Sequence, residues 1–297
     1  MSTRYEEYKD FVESLDGELP SIPLIMNELL EIISDSNAAL YAIQEVIKMD
    51  KTIFSKILKH ANSVEMRQGA ADRIVIISDA IHRLGFEKVK KIILNTSILE
   101  LFQDTEPNFD LKGLWMHSCG VAIASDILAE RFELKLSKHA YSCGLLHDLG
   151  KVAKLKFSQK QFFREIRYSR RYNCTLAQSE KRLGGIEHDL LGSMIIQKWG
   201  ISPIIEQTTQ WHHTFEKNAR TDVEDPDLNK LIDIICLANW IIKDLEFGIC
   251  GNPSRDNLTS DFLKRRKIDE EELIACKEIV QEALESESEH LSIFSKV

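Results

Sequence analysis

The chain has 297 residues, of which 43% are hydrophobic and 29% are charged, a balance typical of globular proteins and not of disordered or fibrous ones. This length fits one large domain or two smaller ones. The net charge of -9 disfavours non-specific binding to nucleic acid, because such binding requires a clustered positive surface.

The cysteine pattern and the first residues predict a compartment. Six cysteines are scattered along the chain without a Cys-x-x-Cys pair, which indicates a reducing environment. The segment from Met1 to Glu7 is polar and acidic, and no apolar run approaches the roughly 18 residues that a membrane span needs. We therefore expect a cytoplasmic protein that is neither secreted nor inserted in a membrane.

Apolar residues recur every three or four positions, which predicts helices. The clearest early segments contain Ile22, Ile25, Leu29 and Ile33, then Ile43, Val46 and Ile47, then Ile53, Ile57 and Leu58. Helix starts are indicated at Ser21 with Pro23, Ser202 with Pro203 and Asp225 with Pro226, and helix stops at Gly85, Gly150 and Gly200. Segment 86–102 is rich in β-branched residues, but the spacing of its charges favours a helix over a strand. The sequence predicts an all-α protein.

A polar, proline-containing break at Asp104 to Asn108 predicts a boundary between two packed helical lobes. We expect an N-terminal helical lobe over 11–104, a lobe bearing most of the histidines over 108–250, and a helical, acidic C-terminal tail over 251–297. The second lobe includes an apolar helix over 228–247. The tail carries the basic run Lys264 to Lys267, which we interpret as a solvated helix face, with a nucleic-acid contact as a weaker alternative.

The sequence His147-Asp148-Leu149-Gly150-Lys151 predicts a metal centre. Neighbouring side chains on a helix diverge by about 100°, so His147 and Asp148 can hold one ion only at a helix end or bend, which we expect Gly150 to supply. Lys151 is either a phosphate-binding cation or a solvated lysine. Further ligands are expected at helix ends, namely His117, His188, His212 and His213. The remaining histidines, His60, His82, His139 and His290, are interpreted as ordinary structural residues.

These motifs resemble the HD superfamily of metal-dependent phosphohydrolases, in order and in spacing. The resemblance is closer to the HDOD branch, the HD-related output domain of bacterial signalling proteins, and it runs from about Phe11 to about Leu245. It rests in the N-terminal lobe on Leu19-Pro20-Ser21-Ile22-Pro23, on Lys59-His60-Ala61-Asn62-Ser63 and on Ala80-Ile81-His82-Arg83-Leu84-Gly85. It implies a first metal held by His117, His147, Asp148 and a carboxylate on a late helix, and a second held by Asp148, His188, His212 and His213.

The sequence departs from the catalytic pattern at that late helix. Asn239 stands where active HD enzymes carry an aspartate, and a neutral amide oxygen binds a cation more weakly than a carboxylate does. Asp233 is displaced by about 9 Å along the helix axis and is too far to replace it. The Gly-Tyr-Pro element of the cyclic-dinucleotide phosphodiesterases is also missing after His213. We expect one divalent transition metal, Fe, Mn or Zn, or an empty site.

The favoured hypothesis is a non-catalytic HDOD regulatory protein of bacterial signal transduction that binds protein partners, with a degenerate site for a metal or a small anionic or nucleotide ligand. The alternative is a metal-dependent phosphohydrolase acting on a nucleotide or phosphodiester. In that case Asp148 would hold metal, a bound water would be the nucleophile and Lys151 would contact phosphate.

Overall fold

A computed structural model describes residues 2–14, 47, 51–63, 66, 74–101, 109–251, 254–287 and 291. Within these residues the regular structure is entirely helical, which confirms the all-α prediction. The early helices are α1 (Ser2–Ser14), α2 (Lys51–Ala61), α3 (Ile77–Leu84) and α4 (Phe86–Leu101). The central helices are α5 (Leu111–Arg131), α6 (Ser137–Leu146), α7 (Leu149–Phe157), α8 (Gln159–Tyr172) and α9 (Leu176–Leu183). The last helices are α10 (His188–Lys198), α11 (Pro203–Trp211), α12 (Pro226–Asp244), α13 (Ser260–Arg266) and α14 (Glu270–Ser286), with a 3-10 turn at Lys217–Ala219 before α12.

The chain divides into two compact units. One, here called the histidine unit, comprises Met1–Leu19 and Asp104–Glu285, and the other, here called the small unit, comprises Pro20–Gln103 and Ser286–Val297. The boundary predicted at 104–108 and the helix start predicted at Ser21 and Pro23 lie outside the described residues. The segment containing Ile22, Ile25, Leu29 and Ile33 and the residue His290 lie outside them as well.

In the small unit, α2, α3 and α4 pack against one another around buried isoleucines that include Ile57 and Ile93. Two of the motifs on which the family resemblance rests, Lys59–Ser63 and Ala80–Gly85, contact each other there. The Asn62 side chain donates to the carbonyl oxygens of Leu58 and Ile74, both at 2.8 Å, and accepts from the Ile74 amide at 2.9 Å. Arg83 donates to the Ala61 carbonyl oxygen at 3.3 Å. These bonds hold the end of α2 against the segment that leads into α3.

The histidine unit is built around α5 and α6, which pack closely along each other, and α12 contacts both of them. Helix α6 is buried from Ala140 to Leu146, and α12 from Leu231 to Asn239. A helix that is apolar on all sides is buried in this way because no face of it favours water. A second set of contacts joins α10 to α7 and to α11. The helices that carry the predicted ligands therefore form the centre of this unit.

Most of the predicted helix ends are observed. Ser202 and Asp225 cap α11 and α12 through side-chain bonds to backbone amides, and a proline occupies the first turn of each helix. Gly85 and Gly200 follow α3 and α10 with φ of 80° and 66°, a conformation that favours glycine.

The prediction that Gly150 ends a helix is wrong, because Gly150 lies inside α7. A Cβ atom built on Gly150 would overlap the carbonyl oxygen of His188 and lie 2.8 Å from the amide nitrogen of Gly192. Because Gly150 has no side chain, the backbones of α7 and α10 can touch. This contact brings Asp148, which precedes α7, close to His188, which begins α10.

The basic run in the tail is also not a solvated helix face throughout. Arg265 binds the carboxylate of Asp233 with nitrogen–oxygen distances of 2.9 and 3.0 Å, and Arg266 lies 3.4 Å from the same group. Arg220 donates to it at 2.8 Å. Asp233 is 1% exposed, and a buried carboxylate is stable only when cationic groups pair with it. Arg265 and Arg266 of the basic run supply two of these groups.

None of the helices in the described ranges is long and apolar enough to cross a membrane.

Candidate metal centre

The His147-Asp148 pair lies at a break between two helices. Helix α6 ends at Leu146, His147 follows with helical backbone angles, and Asp148 has φ of -101° and ψ of 15° before α7 begins at Leu149. This break is the bend that the sequence required, and it lies at the pair itself and not at Gly150. It directs both side chains into the space between α5, α10 and α11.

Six predicted ligands converge on that space and are here called the ligand cluster: His117, His147, Asp148, His188, His212 and His213. In a first set of His117, His147 and Asp148, one ligand atom from each residue lies within 4.8 Å of the others. A second set of Asp148, His188, His212 and His213 meets the same limit. Asp148 belongs to both sets.

The two oxygens of Asp148 are divided between the two sets. Oδ2 lies 3.2 Å from Nε2 of His147 and 3.7 Å from Nε2 of His117. Oδ1 lies 3.5 Å from Nε2 of His188 and 3.5 Å from Nε2 of His212. A carboxylate in this position can bridge two ions, or serve either set alone.

His117 reaches the cluster from the middle of a helix and not from its start, which corrects the sequence prediction. Helix α5 begins at Leu111, because Asp110 precedes it and accepts a bond from the Gly113 amide at 2.7 Å. The segment before His117 contains Gly113 and Trp115, whose weak helix preferences hid this first turn and a half. His188 does begin α10, and His212 follows the last residue of α11, as predicted.

Three rings of the cluster are oriented by bonds from Nδ1. His147 Nδ1 lies 2.7 Å from the Gly144 carbonyl oxygen, and His212 Nδ1 lies 2.6 Å from the Thr209 carbonyl oxygen. A carbonyl oxygen can only accept, so Nδ1 carries a proton in both rings and Nε2 of each ring faces Asp148. Such bonds from the distal nitrogen are a general feature of metal-binding histidines.

The third ring, that of His188, is held by residues that the sequence did not identify. Its Nδ1 donates to Oε2 of Glu180 at 2.7 Å, and its backbone amide donates to the same oxygen at 3.2 Å. Oε1 of Glu180 accepts from Nζ of Lys154 at 2.6 Å, and Lys154 also pairs with Glu165 at 2.6 Å. Glu180 and Lys154 are fully buried. The chain thus supplies a charged support behind His188, from helices that are distant in sequence.

Burial and neighbouring charges set the protonation of the cluster. Burial lowers the pKa of His212 to about 3 and holds the pKa values of His117 and His213 well below the usual range. Burial also opposes ionisation of Asp148, but the charges of His147 and Lys151 hold its pKa well below the ordinary value. These groups are in the forms that bind metal, because imidazole must be neutral and the carboxyl ionised.

His188 differs from the other rings. Burial would lower its pKa, but the Glu180 carboxylate outweighs burial and raises the pKa to about 9. Its Nε2 lies 3.0 Å from Nε2 of His213, so the proton on His188 is donated to the lone pair of His213. A metal bound to His188 would have to displace this proton.

Lys151 is buried and bound, which excludes the solvated alternative. The side chain is 1% exposed, and Nζ donates to Oδ2 of Asp148 at 2.7 Å. Burial lowers the pKa of Lys151, but the nearby charge of Asp148 outweighs it and the net direction is upward. The ammonium group therefore remains charged, on the side of Asp148 that faces the first set.

The donor set fits a transition metal. Nε2 of His117, His147 and His212 and Oδ1 of Asp148 are buried and make no hydrogen bond within the described residues. Unpaired buried polar atoms are costly unless a ligand or ion satisfies them, and imidazole with carboxylate is the donor chemistry of Zn, Fe and Mn. Asn239 is buried on α12, and its Oδ1 is likewise without a hydrogen bond. A metal bound by the second set would satisfy Nε2 of His212 and Oδ1 of Asp148, and a metal bound by the first set would satisfy Nε2 of His117 and His147.

Comparisons with known proteins identify the fold and the family. A curated relative, an uncharacterized protein of Treponema pallidum (strain Nichols), is 23% identical over 279 residues, which cover 92% of this chain and 52% of the relative. The chain thus spans about half the length of that relative. An HDOD domain protein with unknown function from Geobacter sulfurreducens superposes with a TM-score of 0.76 at 23% identity, over 99% of this chain and 98% of the other.

A second solved structure, a candidate phosphohydrolase from Shewanella amazonensis SB2B, superposes with a TM-score of 0.67 at 20% identity, over 96% of this chain and 97% of the other. At these identities the two structures support the fold alone. The HDOD domain family matches residues 19–215, about two thirds of the sequence. The chain therefore belongs to the HDOD family.

Proposed function

We propose that this protein is a cytoplasmic regulatory protein of bacterial signal transduction, which acts by binding other proteins and uses the ligand cluster to hold a metal without catalysis. The observation that carries the proposal is the enclosure of the cluster. His117, His147, Asp148, His188 and His212 are each at most 1% exposed. A hydrolase must bring the phosphorus of its substrate to the metal, which requires an open approach to the ligands.

The charges of the cluster also support one metal in place of two. The ammonium of Lys151 is already bound to Oδ2 of Asp148, the oxygen that faces the first set. The HD pattern that the sequence resembles gives that set a carboxylate from the late helix, and α12 carries the neutral amide of Asn239 at the matching position. A second cation there would be repelled by the lysine and would have no negative ligand besides the Asp148 carboxylate that it shares with the second set. The positive charge of the second set is the proton on His188, which metal binding would release, so we place a single ion on Asp148, His188, His212 and His213.

The alternative, a phosphohydrolase, has one observation in its favour. His213 is the least buried ligand of the cluster, with a side chain about 10% exposed, and a phosphate could approach from its side. A bound ion would then supply Lewis-acid chemistry and an activated water, and Lys151 would contact the phosphate if it left Asp148. A single ion gives this reaction less assistance than the paired ions of two-metal hydrolases.

Metal analysis combined with an activity assay separates the two proposals. Protein purified without chelator is analysed for Fe, Mn and Zn, and is then assayed with phosphodiester and nucleotide substrates in the presence of added Mn or Fe. We expect about one metal ion per chain, no turnover, and loss of the metal in Asp148→Ala. Turnover that depends on Asp148 would overturn the regulatory proposal and establish the hydrolase.

Partner binding is proposed for the small unit. Val75 and Ile76, next to the start of α3, are 67% and 57% exposed, which is unusual for adjacent aliphatic side chains. The test compares proteins captured from the native cell by the wild-type chain and by the double variant Val75→Asp, Ile76→Asp. A partner retained equally by both would exclude this surface as the contact.

A further inference from the structure

A cavity of about 670 Å3 lies in the histidine unit and shares no lining residue with the ligand cluster. Its walls come from the start of α5, one face of α8 and the segment after α12. The principal lining residues are Phe109, Lys160, Phe163, Arg167, Arg170 and Ile249. A volume of this size is within the range of roughly 300–1,000 Å3 found for small-molecule sites.

The charged part of the lining is positive in a chain whose net charge is -9. Lys160, Arg167 and Arg170 are seven and three residues apart on α8 and therefore share one face of the helix. All three are exposed, and within the described residues none of them forms an ion pair. Arg170 is oriented by a bond from its Nε to the Gly251 carbonyl oxygen at 3.3 Å. Among the described residues, the three cations therefore border the cavity without a paired carboxylate.

One carboxylate, that of Asp110, also lines the cavity. Its Oδ1 accepts from the Gly113 amide at 2.7 Å, which places the negative charge at the start of α5. The positive end of the helix dipole offsets this charge in part. The lining therefore keeps a positive excess of three cations over one partly neutralised anion.

The opposite part of the lining is apolar and aromatic. The ring of Phe109 lies 6.3 Å from that of Phe163 and 5.8 Å from that of Phe162, measured between centroids. Ile249 is 43% exposed, and its amide donates to the Gly113 carbonyl oxygen at 2.7 Å, which fixes this wall to α5. Phe109 and Phe163 are half-buried, so part of each ring remains open to a ligand.

We infer that this cavity is a nucleotide-binding site, in which Phe109 and Phe163 contact the base and Arg167, Arg170 and Lys160 bind the phosphate. Guanidinium groups form paired hydrogen bonds with phosphate oxygens, and aromatic rings stack on any base. A solvated basic helix face would explain the cations alone. It would not explain why they border an open aromatic cavity, or why none of them forms an ion pair with another described residue.

Binding of AMP to the full chain, measured by isothermal titration calorimetry, tests the inference. Adenosine and inorganic phosphate are titrated separately, and each titration is repeated with a chelator, because the site uses no metal ligand. We expect AMP to bind more tightly than either part, more weakly as salt is raised, and equally with and without chelator. No binding of AMP at millimolar concentration, or equal binding of AMP and phosphate, would overturn it.

Variants locate the site. Arg167→Gln removes one phosphate contact and should weaken AMP binding roughly tenfold, since a hydrogen bond between two charged groups is lost. Arg171→Gln is the matched control: it makes the same change on the same helix at an exposed residue outside the lining, and it should leave the Kd within about twofold. Phe163→Leu should weaken AMP and leave phosphate unchanged. Equal losses in Arg167→Gln and Arg171→Gln would refute the assignment, and Lys160→Gln provides a second test of the same cationic face.

Discussion

Replacement of Glu180 by glutamine tests the support behind His188. The carboxylate accepts from the ring and the amide of His188 and from Lys154, all in a site without water contact. A glutamine has the same shape, but only one of its two terminal atoms can accept a hydrogen bond. If that oxygen faces Lys154, the amide NH2 group faces the Nδ1 proton of His188, and if it is turned the two donors meet at Lys154. The first orientation loses both bonds from His188, and the second loses the bond from Lys154.

The expected loss of stability follows from the pKa of Glu180. Burial alone would raise it, but His188 and Lys154 lower it from 4.5 to about 2. At about 1.4 kcal/mol per pH unit this difference corresponds to about 3 kcal/mol of unfolding free energy at pH 7. One lost hydrogen bond to a charged group gives a similar figure, about 1.5–3 kcal/mol. We expect Glu180→Gln to lower the unfolding free energy by about 2–4 kcal/mol.

The sign of the pH dependence is fixed by the same values. A carboxyl whose pKa is lowered on folding stabilises the protein fully above the unfolded value of 4.5, and this stabilisation is lost as the pH falls through about 2. The difference between wild type and variant should therefore be largest at neutral pH and should shrink below pH 4.5. Denaturant unfolding of the metal-free protein at several pH values measures it.

Metal affinity provides the second readout, because a purely structural defect would leave it unchanged in the folded protein. Loss of a bond that orients a ligand typically costs about ten- to hundredfold in metal affinity, and the comparison is made above pH 9, where His188 has already released its proton in the wild type. The measurement is competition with a chromophoric chelator. Glu278→Gln makes the same charge change at an exposed position of α14 and serves as the control. If Glu180→Gln matched this control in both unfolding and metal binding, the role assigned to Glu180 would be wrong.

Three further predictions concern the ligands and their packing. Asn239→Asp should raise the metal content above that of the wild type if α12 faces the first set, and an unchanged content by elemental analysis would show that it does not. Gly150→Ala should lower the unfolding free energy by more than about 2 kcal/mol, because the added methyl meets the backbone of α10; a variant as stable as wild type would contradict this contact. The pKa of His188 is raised to about 9, so its stabilisation of the metal-free protein is complete below pH 6.5 and is lost through pH 9. Over the same interval metal affinity should increase as the proton is released, and a flat affinity profile between pH 6.5 and 9 would refute the protonated state of His188.

The sequence predicted the helical fold well, because helix signals are local. Ser202 and Asp225 with their prolines mark true helix starts, and the charges of segment 86–102 correctly favoured helix α4 over a strand. Gly150 was misread for a physical reason. A glycine that ends a helix and a glycine that allows two helices to touch look the same in a sequence. Only the position of α10 in the fold shows which of these two roles Gly150 has.

The candidate site was predictable to the extent that its ligands carry recognisable spacing. Glu180 and Lys154 carry none: they are 26 residues apart, and each is an ordinary charged residue on an amphipathic helix. Their importance arises from burial together, which is a property of the tertiary packing. Arg265 was missed for the same reason, since its partner Asp233 lies 32 residues earlier on α12.

The three oriented rings of the cluster differ in whether a single substitution can remove the hydrogen-bond acceptor of Nδ1. The acceptors beside His147 and His212 are main-chain oxygens, which every amino acid carries. The acceptor beside His188 is a side chain and can be removed by a single substitution. Divergence within such a cluster should therefore loosen His188 before the other two rings, and a descendant chain could lose its ion while every histidine is still present.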